Sequence, residues 1–426
     1  MSTDRIPERA PMGWNSWDCY GPSVTEDTVR KNAEVMSSRL KTSGYEYIVV
    51  DIQWYQPSAL SHAYEPFADL NMDGYGRLLP AENRFPSSAG GTGFKALAEY
   101  VHSLGLRFGI HIMRGIPRQA VHQNTPVYGT DGKHHARDIA KTASICFWNT
   151  DMYGVDPEKP GAREYYMSLF SMYAGWGVDF IKCDDICREL PHEEKELILI
   201  SDCIKGCGRD MVLSLSPGPA LLEKAALYRA TSAMWRITDD FWDDWKLLYA
   251  MFERCEKWSI HTGSGCYPDA DMLPVGAIRQ NAGESNRTAF TEDELRTMMT
   301  LWCIFRSPLM IGGDLAKLDS FTEELLTAPH ILSMHENSRH AHQVWRKKTD
   351  TGEYVLWTAL RAGGGQYAAL FNIGEEPGHA EFPISELEPV GAYSRCRDLW
   401  SGRESAAGET LGAELSPHAC AAWLIC

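Results

Sequence analysis

Eight short apolar segments recur along the first 330 or so residues, and this recurrence constrains the fold more than any other feature. The segments lie near residues 13, 49, 110, 181, 213, 236, 272 and 310. Most intervals between them carry apolar residues at the spacing of an amphipathic helix, and Thr25 and Thr291, the second with Glu294 three residues later, stand where two of these helices would be capped. Alternation of buried strands and helices over this length is typical of a closed parallel barrel. We therefore predict an α/β fold, with a (β/α)8 TIM barrel over residues 1–334.

The pattern changes after Ile331. Short strand-like segments such as 354–360 and 367–372 are separated by glycine and proline turns, and no helical period is present. Short strands divided by turn residues are typical of antiparallel sheets. We predict a second, C-terminal antiparallel β-sandwich domain over residues 335–426.

Charged residues cluster where the predicted barrel strands end. The segment 177–185 (GVDFIKCDD) and the segment 234–241 (MWRITDDF) each run from apolar residues into paired carboxylates beside a cation. The carboxyl ends of all strands in such a barrel meet at one mouth, where active sites lie. The charged residues at these ends are Asp51, Lys182, Asp184, Asp185, Arg236, Asp239, Asp240, Asp269 and Asp271.

This ring of acids suits the hydrolysis of a glycosidic bond, which uses two carboxyl groups on either side of a cationic transition state. Lys182 would hold Asp184 ionised and ready to act as a nucleophile. A second, less solvated carboxyl group would keep its proton and act as the acid. A small carbohydrate is the expected substrate. No His/Cys set has the spacing of a metal site, so we expect no metal and no cofactor.

Composition excludes several other classes of partner. The net charge of −16 argues against nucleic acid and against anionic membrane surfaces. No apolar run reaches the roughly 18 residues of a transmembrane helix. Residues 1–9 lack the apolar core of a signal peptide, and the 12 cysteines are expected to be free thiols, so we expect a cytoplasmic protein. The oligomeric state does not follow from the sequence.

Six motifs occur in one order along the barrel region, and together they resemble glycoside hydrolase family 27 of clan D. This family includes α-galactosidase and α-N-acetylgalactosaminidase. The motif RDLWSG at 397–402 is similar to the C-terminal β domain of the same family. The barrel motifs are PMGWNSW at 11–17, VDIQW at 50–54, IKCDD at 181–185, WRITDD at 235–240, PDADML at 268–273 and SPLMIGGD at 307–314.

The resemblance implies a retaining, double-displacement mechanism. It assigns Asp184 as the nucleophile and Asp240 as the acid/base, and it places Trp17 against a face of the sugar. The sugar hydroxyls would be bound by Asp51, Lys182, Arg236 and Asp271. We also predict substrate contacts from Trp54, His111 and Ser216.

The chain departs from the family pattern at several of these positions. Ile52 stands where the family usually has a second aspartate, so one sugar contact is missing, or Gln53 or Trp54 supplies it. His111 replaces a tyrosine. Ile186 replaces a cysteine that forms a disulfide beside the nucleophile. After the fifth strand, Ser216 and Pro219 stand in place of a bulky acid and would admit a 2-acetamido group.

Several functions therefore stay open at this stage. The first is hydrolysis of terminal α-galactosides, α-N-acetylgalactosaminides or both; a β-L-arabinopyranosidase on the same scaffold is the alternative. A non-catalytic carbohydrate-binding barrel would show no turnover of any aryl glycoside. A metal-dependent barrel hydrolase would lose activity in chelator. Asp185 is more simply a helix cap, and Asp239 is secondary to Asp240.

Overall fold

The computed structural model describes residues 9–61, 63–188, 193–280, 286–349, 352–388 and 393–426. Residues 1–8, which make up nearly all of the stretch predicted to lack a signal peptide, lie outside the described residues. Across the described ranges, every helix is too short or too polar to span a lipid bilayer. All 12 cysteines are free thiols, and most of them are buried.

Eight parallel strands form the predicted barrel. The first seven strands pair with one another in chain order, and the first also pairs with the eighth. The strands are β1 (Met12–Asn15), β2 (Tyr47–Val50), β3 (Arg107–Met113), β4 (Phe180–Asp184), β5 (Val212–Leu215), β6 (Met234–Arg236), β7 (Tyr267–Asp269) and β8 (Leu309–Ile311).

The seventh strand lies earlier than predicted. The sequence placed it near residue 272, but the extended segment ends at Asp269. Asp271 has a positive φ of 82°, which no extended strand can contain. Leu273 then makes a single parallel bridge to Ile311, and this bridge closes the barrel between β7 and β8.

Two of the helices around the barrel begin at the predicted capping residues, Thr25 and Thr291. The Thr25 side chain accepts a hydrogen bond from the Thr28 amide at the start of the helix Glu26–Val35. This helix continues as a π-helical turn over Met36–Leu40. Thr291 and Glu294 form the predicted capping box. The helices are Trp17–Tyr20, Glu26–Val35, Met36–Leu40, Lys95–Ser103, Arg118–Gln123, Ala136–Ile139, Ala162–Trp176, Glu194–Gly206, Ala225–Thr231, Trp245–Ser259, Glu292–Phe305, Ser320–Thr327 and Pro329–Asn337.

The segment between β3 and the helix at Ala162–Trp176 is more ordered than its polar sequence indicates. It contains a small antiparallel sheet of Ile116–Pro117, Met152–Val155 and Ala140–Ile145. The last of these strands is largely exposed, so its sequence lacks the apolar alternation that identifies a half-buried strand. This segment follows β3, so it departs from the carboxyl-terminal mouth of the barrel.

The C-terminal region forms the predicted antiparallel sandwich. Within the described residues of this region, the larger sheet contains six strands and the smaller sheet two. In chain order the strands are Ser338–Thr349, Gly352–Arg361, Gln366–Asn372, Gly378–Pro383, Arg395–Asp398, Glu404–Ala406, Thr410–Leu415 and Cys420–Ile425. Aromatic contacts join the larger sheet to the barrel helices. The Phe252 and Phe371 ring centroids are 5.0 Å apart, and those of Phe305 and Trp357 are 6.4 Å apart.

Candidate active site

A cavity of about 290 Å³ opens at the carboxyl ends of the barrel strands. This volume lies at the lower end of the range for ligand sites, about 300–1,000 Å³, so it suits one small ring better than an extended chain. Its lining residues are Trp17, Asp51, Ile52, Tyr64, Phe147, Trp148, Lys182, Asp184, Arg188, Pro217, Arg236, Asp239 and Asp240. A larger cavity of about 550 Å³ lies near the amino ends of β1 and β2, where barrels carry stability and not catalysis.

Asp184 is the last residue of β4, and both of its carboxylate oxygens are held. His111 Nε2 lies 2.8 Å from Oδ2, and the Ser216 hydroxyl donates to Oδ1. Burial alone would raise the pKa of Asp184, but His111 and Lys182 outweigh it and hold that pKa well below its usual range. The carboxyl group is therefore ionised at neutral pH and fixed in one orientation.

Lys182 and Asp51 form an ion pair beside Asp184. Lys182 Nζ lies 2.7 Å from Asp51 Oδ2, and Asn15 donates to the same oxygen at 2.8 Å. Burial would raise the pKa of Asp51, but the Lys182 ammonium outweighs it and lowers that pKa. For Lys182, burial acts to lower the pKa, and the two aspartates raise it on balance. Both groups thus stay charged in a largely buried position.

Arg236 connects two carboxylates at the end of β6. It lies 2.7 Å from Asp240 Oδ1 and 2.8 Å from Asp271 Oδ1. The Asp240 side chain is 52% exposed, against 11% for Asp184, so Asp240 is not the less solvated carboxyl group that the sequence led us to expect as the acid. The Asp271 side chain is 6% exposed. Burial raises the pKa of Asp271, and Arg236 offsets part of that effect. Asp271 also accepts a hydrogen bond from the Phe241 amide at 2.8 Å, so it fixes Arg236 and the Asp240 loop from behind the cavity.

Aromatic side chains form one side of the cavity. Trp17 stacks on Tyr64 with ring centroids 6.0 Å apart and an interplanar angle of 14°. Tyr64 in turn contacts Trp148 at 5.5 Å. Phe147 is 77% exposed, and the Arg188 guanidinium lies 5.6 Å from the centre of its ring. Flat apolar surfaces of this kind suit the apolar faces of sugar rings.

A buried cluster holds the chain immediately after Asp184. Asp185 has a positive φ of 62°, and Arg114 donates to both its main-chain oxygen and its carboxylate, the latter at 2.9 Å. Glu196 lies 3.3 Å from Arg114 and accepts hydrogen bonds from the Val155 amide and the Tyr166 hydroxyl. Burial raises the pKa of Glu196 to about 7, although Arg114 acts in the opposite direction. This cluster lies outside the cavity lining and supports the end of β4.

The structure brings most of the predicted site residues together. Six of them line the cavity, and three others lie directly behind it, bonded to Asp184 or Arg236. The six are Trp17, Asp51, Lys182, Asp184, Arg236 and Asp240; the three are His111, Ser216 and Asp271.

Trp54 is placed differently from the prediction. Its indole is fully buried, its Nε1 donates to the main-chain oxygen of His111 at 2.7 Å, and its ring packs against Phe94 and Trp176. All of its surface is used by the core, so it is not a substrate contact. It supports β3 instead, directly at His111.

Two further expectations for substrate contacts are also corrected. The Gln53 amide donates to Asp151 at 2.8 Å, so neither Gln53 nor Trp54 takes the place of the second family aspartate in binding the sugar. Ile52 itself lines the cavity. After β5 the lining residue is Pro217 and not Pro219, and the Ser216 hydroxyl is engaged by Asp184. Ser216 and Pro219, which we expected to line a recess for a 2-acetamido group, therefore do not line the cavity.

Sequence reasoning also missed part of the lining. The missed residues share one origin, because they stand in the irregular segments that follow β2, β3, β4 and β5. They are Tyr64, Phe147, Trp148, Arg188 and Pro217. The signal available was the aromatic content of the two long segments after β2 and β3, since long loops in compact domains are commonly functional.

Comparison with known proteins defines the class of this chain. A family model described as alpha galactosidase A matches residues 155–337. A second model, described as the alpha galactosidase C-terminal beta sandwich domain, matches residues 340–425. A solved β-L-arabinopyranosidase of glycoside hydrolase family 27, from Geobacillus stearothermophilus, is 53% identical and aligns over 98% of this chain and 96% of its own, with a TM-score of 0.94. The chain belongs to glycoside hydrolase family 27.

Other relatives carry different specificities. A Bacillus halodurans C-125 protein with a provisional assignment as an α-N-acetylgalactosaminidase is 49% identical, covers 99% of both chains and has a TM-score of 0.87. An α-galactosidase from Cyamopsis tetragonoloba is 26% identical over all of this chain and 88% of its own length. The family and the site together make this protein a glycosidase.

Proposed function

We propose that this protein is a retaining exo-glycosidase that removes a terminal β-L-arabinopyranosyl residue, with Asp184 as nucleophile and Asp240 as acid/base. The ionised, doubly hydrogen-bonded Asp184 carboxylate and the exposed Asp240 carboxyl line one cavity. A cavity closed on the aromatic side and limited to about 290 Å³ favours a single terminal ring.

In the first step, an Asp184 oxygen attacks the anomeric carbon as the bond to the leaving oxygen breaks. Asp240 gives its proton to that oxygen, and a glycosyl ester of Asp184 forms. In the second step, water attacks the anomeric carbon, Asp240 accepts the water proton, and the ester bond breaks. Two inversions give a product with the starting anomeric configuration.

Ile52 is the observation that supports a pentopyranose. It lines the cavity directly beside Asp51, where the family usually presents a second carboxylate. D-Galactose and L-arabinopyranose share the arrangement of their ring hydroxyls and differ by one exocyclic hydroxymethyl group. An isoleucine cannot hydrogen-bond that group, and a hydroxyl left without a partner costs binding free energy. The site thus lacks one hydrogen-bonding group, and L-arabinopyranose lacks the hydroxymethyl group that such a group would bind. The 53%-identical arabinopyranosidase, solved also as a variant in complex with arabinose, points the same way.

Hydrolysis of terminal α-galactosides is the second candidate. It is favoured by Asp51, Lys182 and Arg236, which line the cavity and can contact hydroxyls that both sugars share, and by the α-galactosidases among the relatives. Hydrolysis of α-N-acetylgalactosaminides has less support, because neither Ser216 nor Pro219, the residues expected to make room for the acetamido group, lines the cavity.

A panel of nitrophenyl glycosides tests the proposal. We expect the highest kcat/KM on the β-L-arabinopyranoside, a lower value on the α-D-galactopyranoside, and little turnover of the α-N-acetylgalactosaminide. Proton NMR of the first product should show retention of the anomeric configuration. The Asp184→Gly variant should still bind arabinose and lose turnover. A wild type that binds arabinose but hydrolyses none of these substrates would support the non-catalytic carbohydrate-binding alternative instead.

A further inference from the structure

A continuous set of contacts runs from the main chain of Asp240, the proposed acid/base, to an exposed aromatic ring at the cavity rim. The Asp240 amide donates to Asp239 at 2.9 Å, and Arg188 pairs with the other Asp239 oxygen at 2.8 Å. The Arg188 guanidinium then lies 5.6 Å from the centre of the Phe147 ring. All four side chains line the same cavity. We call Phe147, Arg188 and Asp239 the rim cluster.

We propose that the rim cluster is the binding site for the leaving group, and that it accepts a ring with a flat apolar face, either a second sugar or an aryl group. This inference rests on the proposed function, because it takes Asp240 as the acid. The acid must reach the glycosidic oxygen, so the leaving group lies on the Asp240 side of that oxygen. The rim cluster is the group of side chains joined directly to that position.

The physical reason for assigning a ligand to Phe147 is that it is both highly exposed and part of the cavity lining, whereas Phe67 and Ile260 are as exposed but do not line the cavity. A phenylalanine side chain that is 77% exposed contributes almost no burial free energy to folding, whereas most of the large apolar side chains in this chain are buried. Its neighbour Cys146 is buried and Trp148 is half-buried, so the backbone on both sides anchors the ring above the cavity. Burial of this face by a planar ring in the bound state would supply the apolar contact that folding does not.

Arg188 and Asp239 give the rim its orientation. A guanidinium beside an aromatic ring attracts the ring electrons and restricts the ring's movement. The ion pair with Asp239 holds Arg188 in that place, although the Asp239 side chain is 60% exposed, so the pair itself contributes little to stability. A weak, exposed pair next to the acid/base is better explained by ligand contact than by stabilisation of the fold.

Phe147→Ala is the test variant, and Ile145→Ala is its control. Ile145 is 53% exposed, two residues earlier, and does not line the cavity. Three substrates with the same glycone separate the contributions: the arabinopyranosyl fluoride has no leaving ring, the nitrophenyl glycoside has an aryl ring, and an arabinopyranosyl disaccharide has a sugar ring. kcat/KM includes the departure of the leaving group, so it reports the contact directly.

We expect Phe147→Ala to lower kcat/KM about three- to tenfold on the ring-bearing substrates, the scale of one aromatic contact, and to leave the fluoride unchanged. Phe147→Trp should keep wild-type rates, and Ile145→Ala should change none of them. A loss on only one ring-bearing substrate identifies that ring as the preferred leaving group. An equal loss on the fluoride, or no loss on either ring, would overturn the inference. A wild type inactive on both this fluoride and α-galactosyl fluoride would overturn the proposed function first, and this inference with it.

Discussion

Ile52→Asp restores a carboxylate beside Asp51, and it should shift the substrate preference towards galactose. Ile52 is 1% exposed but lines the cavity, so a carboxylate there faces the ligand more than it faces bulk water. Lys182 and Asn15 are already bonded to Asp51, so they would not occupy the oxygens of the new carboxylate. Those oxygens could then accept a hydrogen bond from a sugar hydroxyl.

The size of the shift follows from the value of one charge-assisted hydrogen bond. Such a bond contributes about 1.5–3 kcal/mol, which corresponds to about a 10- to 150-fold change in the ratio of the two kcat/KM values. The variant also loses about 1.5–3 kcal/mol of apolar burial at this position, so a lower Tm should accompany the shift. The ratio of α-D-galactopyranoside to β-L-arabinopyranoside hydrolysis is insensitive to that loss, provided the protein is folded at the assay temperature.

Two control variants separate the effect of the carboxylate charge from the effect of changing the side chain at position 52. Ile52→Asn has nearly the same shape as the aspartate without its charge, and a neutral hydrogen bond of about 0.5–1.5 kcal/mol should shift the ratio only about 2- to 13-fold. Ile52→Val should leave the ratio unchanged. If Ile52→Asp is folded and its ratio equals that of the wild type, position 52 does not face the part of the sugar that differs, and the argument for a pentopyranose fails.

Three further outcomes test the site and its support. Asp184→Asn should lower kcat by about 10⁴-fold or more in folded protein, because it replaces the nucleophilic carboxylate with an uncharged amide; residual activity within tenfold would exclude Asp184 as nucleophile. Lys182→Met leaves Asp51 without its cation and should reduce the free energy of unfolding by about 3–5 kcal/mol at pH 7. Because the pKa of Asp51 is lowered by folding, its stabilisation is present above its unfolded pKa, so the deficit measured by urea unfolding should shrink as pH falls below about 4. Glu196→Gln tests the buried cluster. Burial raises the pKa of Glu196 from 4.5 to about 7 on folding, so the free energy of unfolding of the wild type falls as the pH rises from 4.5 to 7. The glutamine variant has no such group and should not show this fall. The stability advantage of the wild type over this variant should therefore narrow by about 3 kcal/mol from pH 4.5 to pH 7, and a gap independent of pH would contradict the pKa shift.

The alternation of apolar segments was sufficient to predict the barrel, because buried parallel strands and amphipathic helices have different periods. The caps at Thr25 and Thr291 were equally local, since a side chain there bonds to an amide only three residues away. The charged residues that end β4 and β6 were found by the same reasoning. Their position at the mouth follows from the parallel arrangement, in which every strand ends on the same side.

The tertiary structure decided which side chains face the cavity. Ile52 and Trp54 both follow β2 within four residues, yet the first lines the cavity and the second lies in the core against Phe94. The irregular backbone beyond a strand end has no fixed period, so the direction of each side chain is set by what packs around it. The positions of Phe147 and Trp148 depend in the same way on the small sheet, because both residues lie between its strands Ala140–Ile145 and Met152–Val155.

The sequence by itself therefore determined the fold, the family and the pair of aspartates proposed for catalysis. The folded structure alone decided that His111 and Ser216 hold Asp184, that Trp54 is a core residue, and that an aromatic rim stands beside Asp240. The physical reason is the range of the interactions involved. Strands, helices and caps depend on neighbours a few residues apart, whereas the shape of the cavity depends on contacts between segments that only the closed barrel brings together.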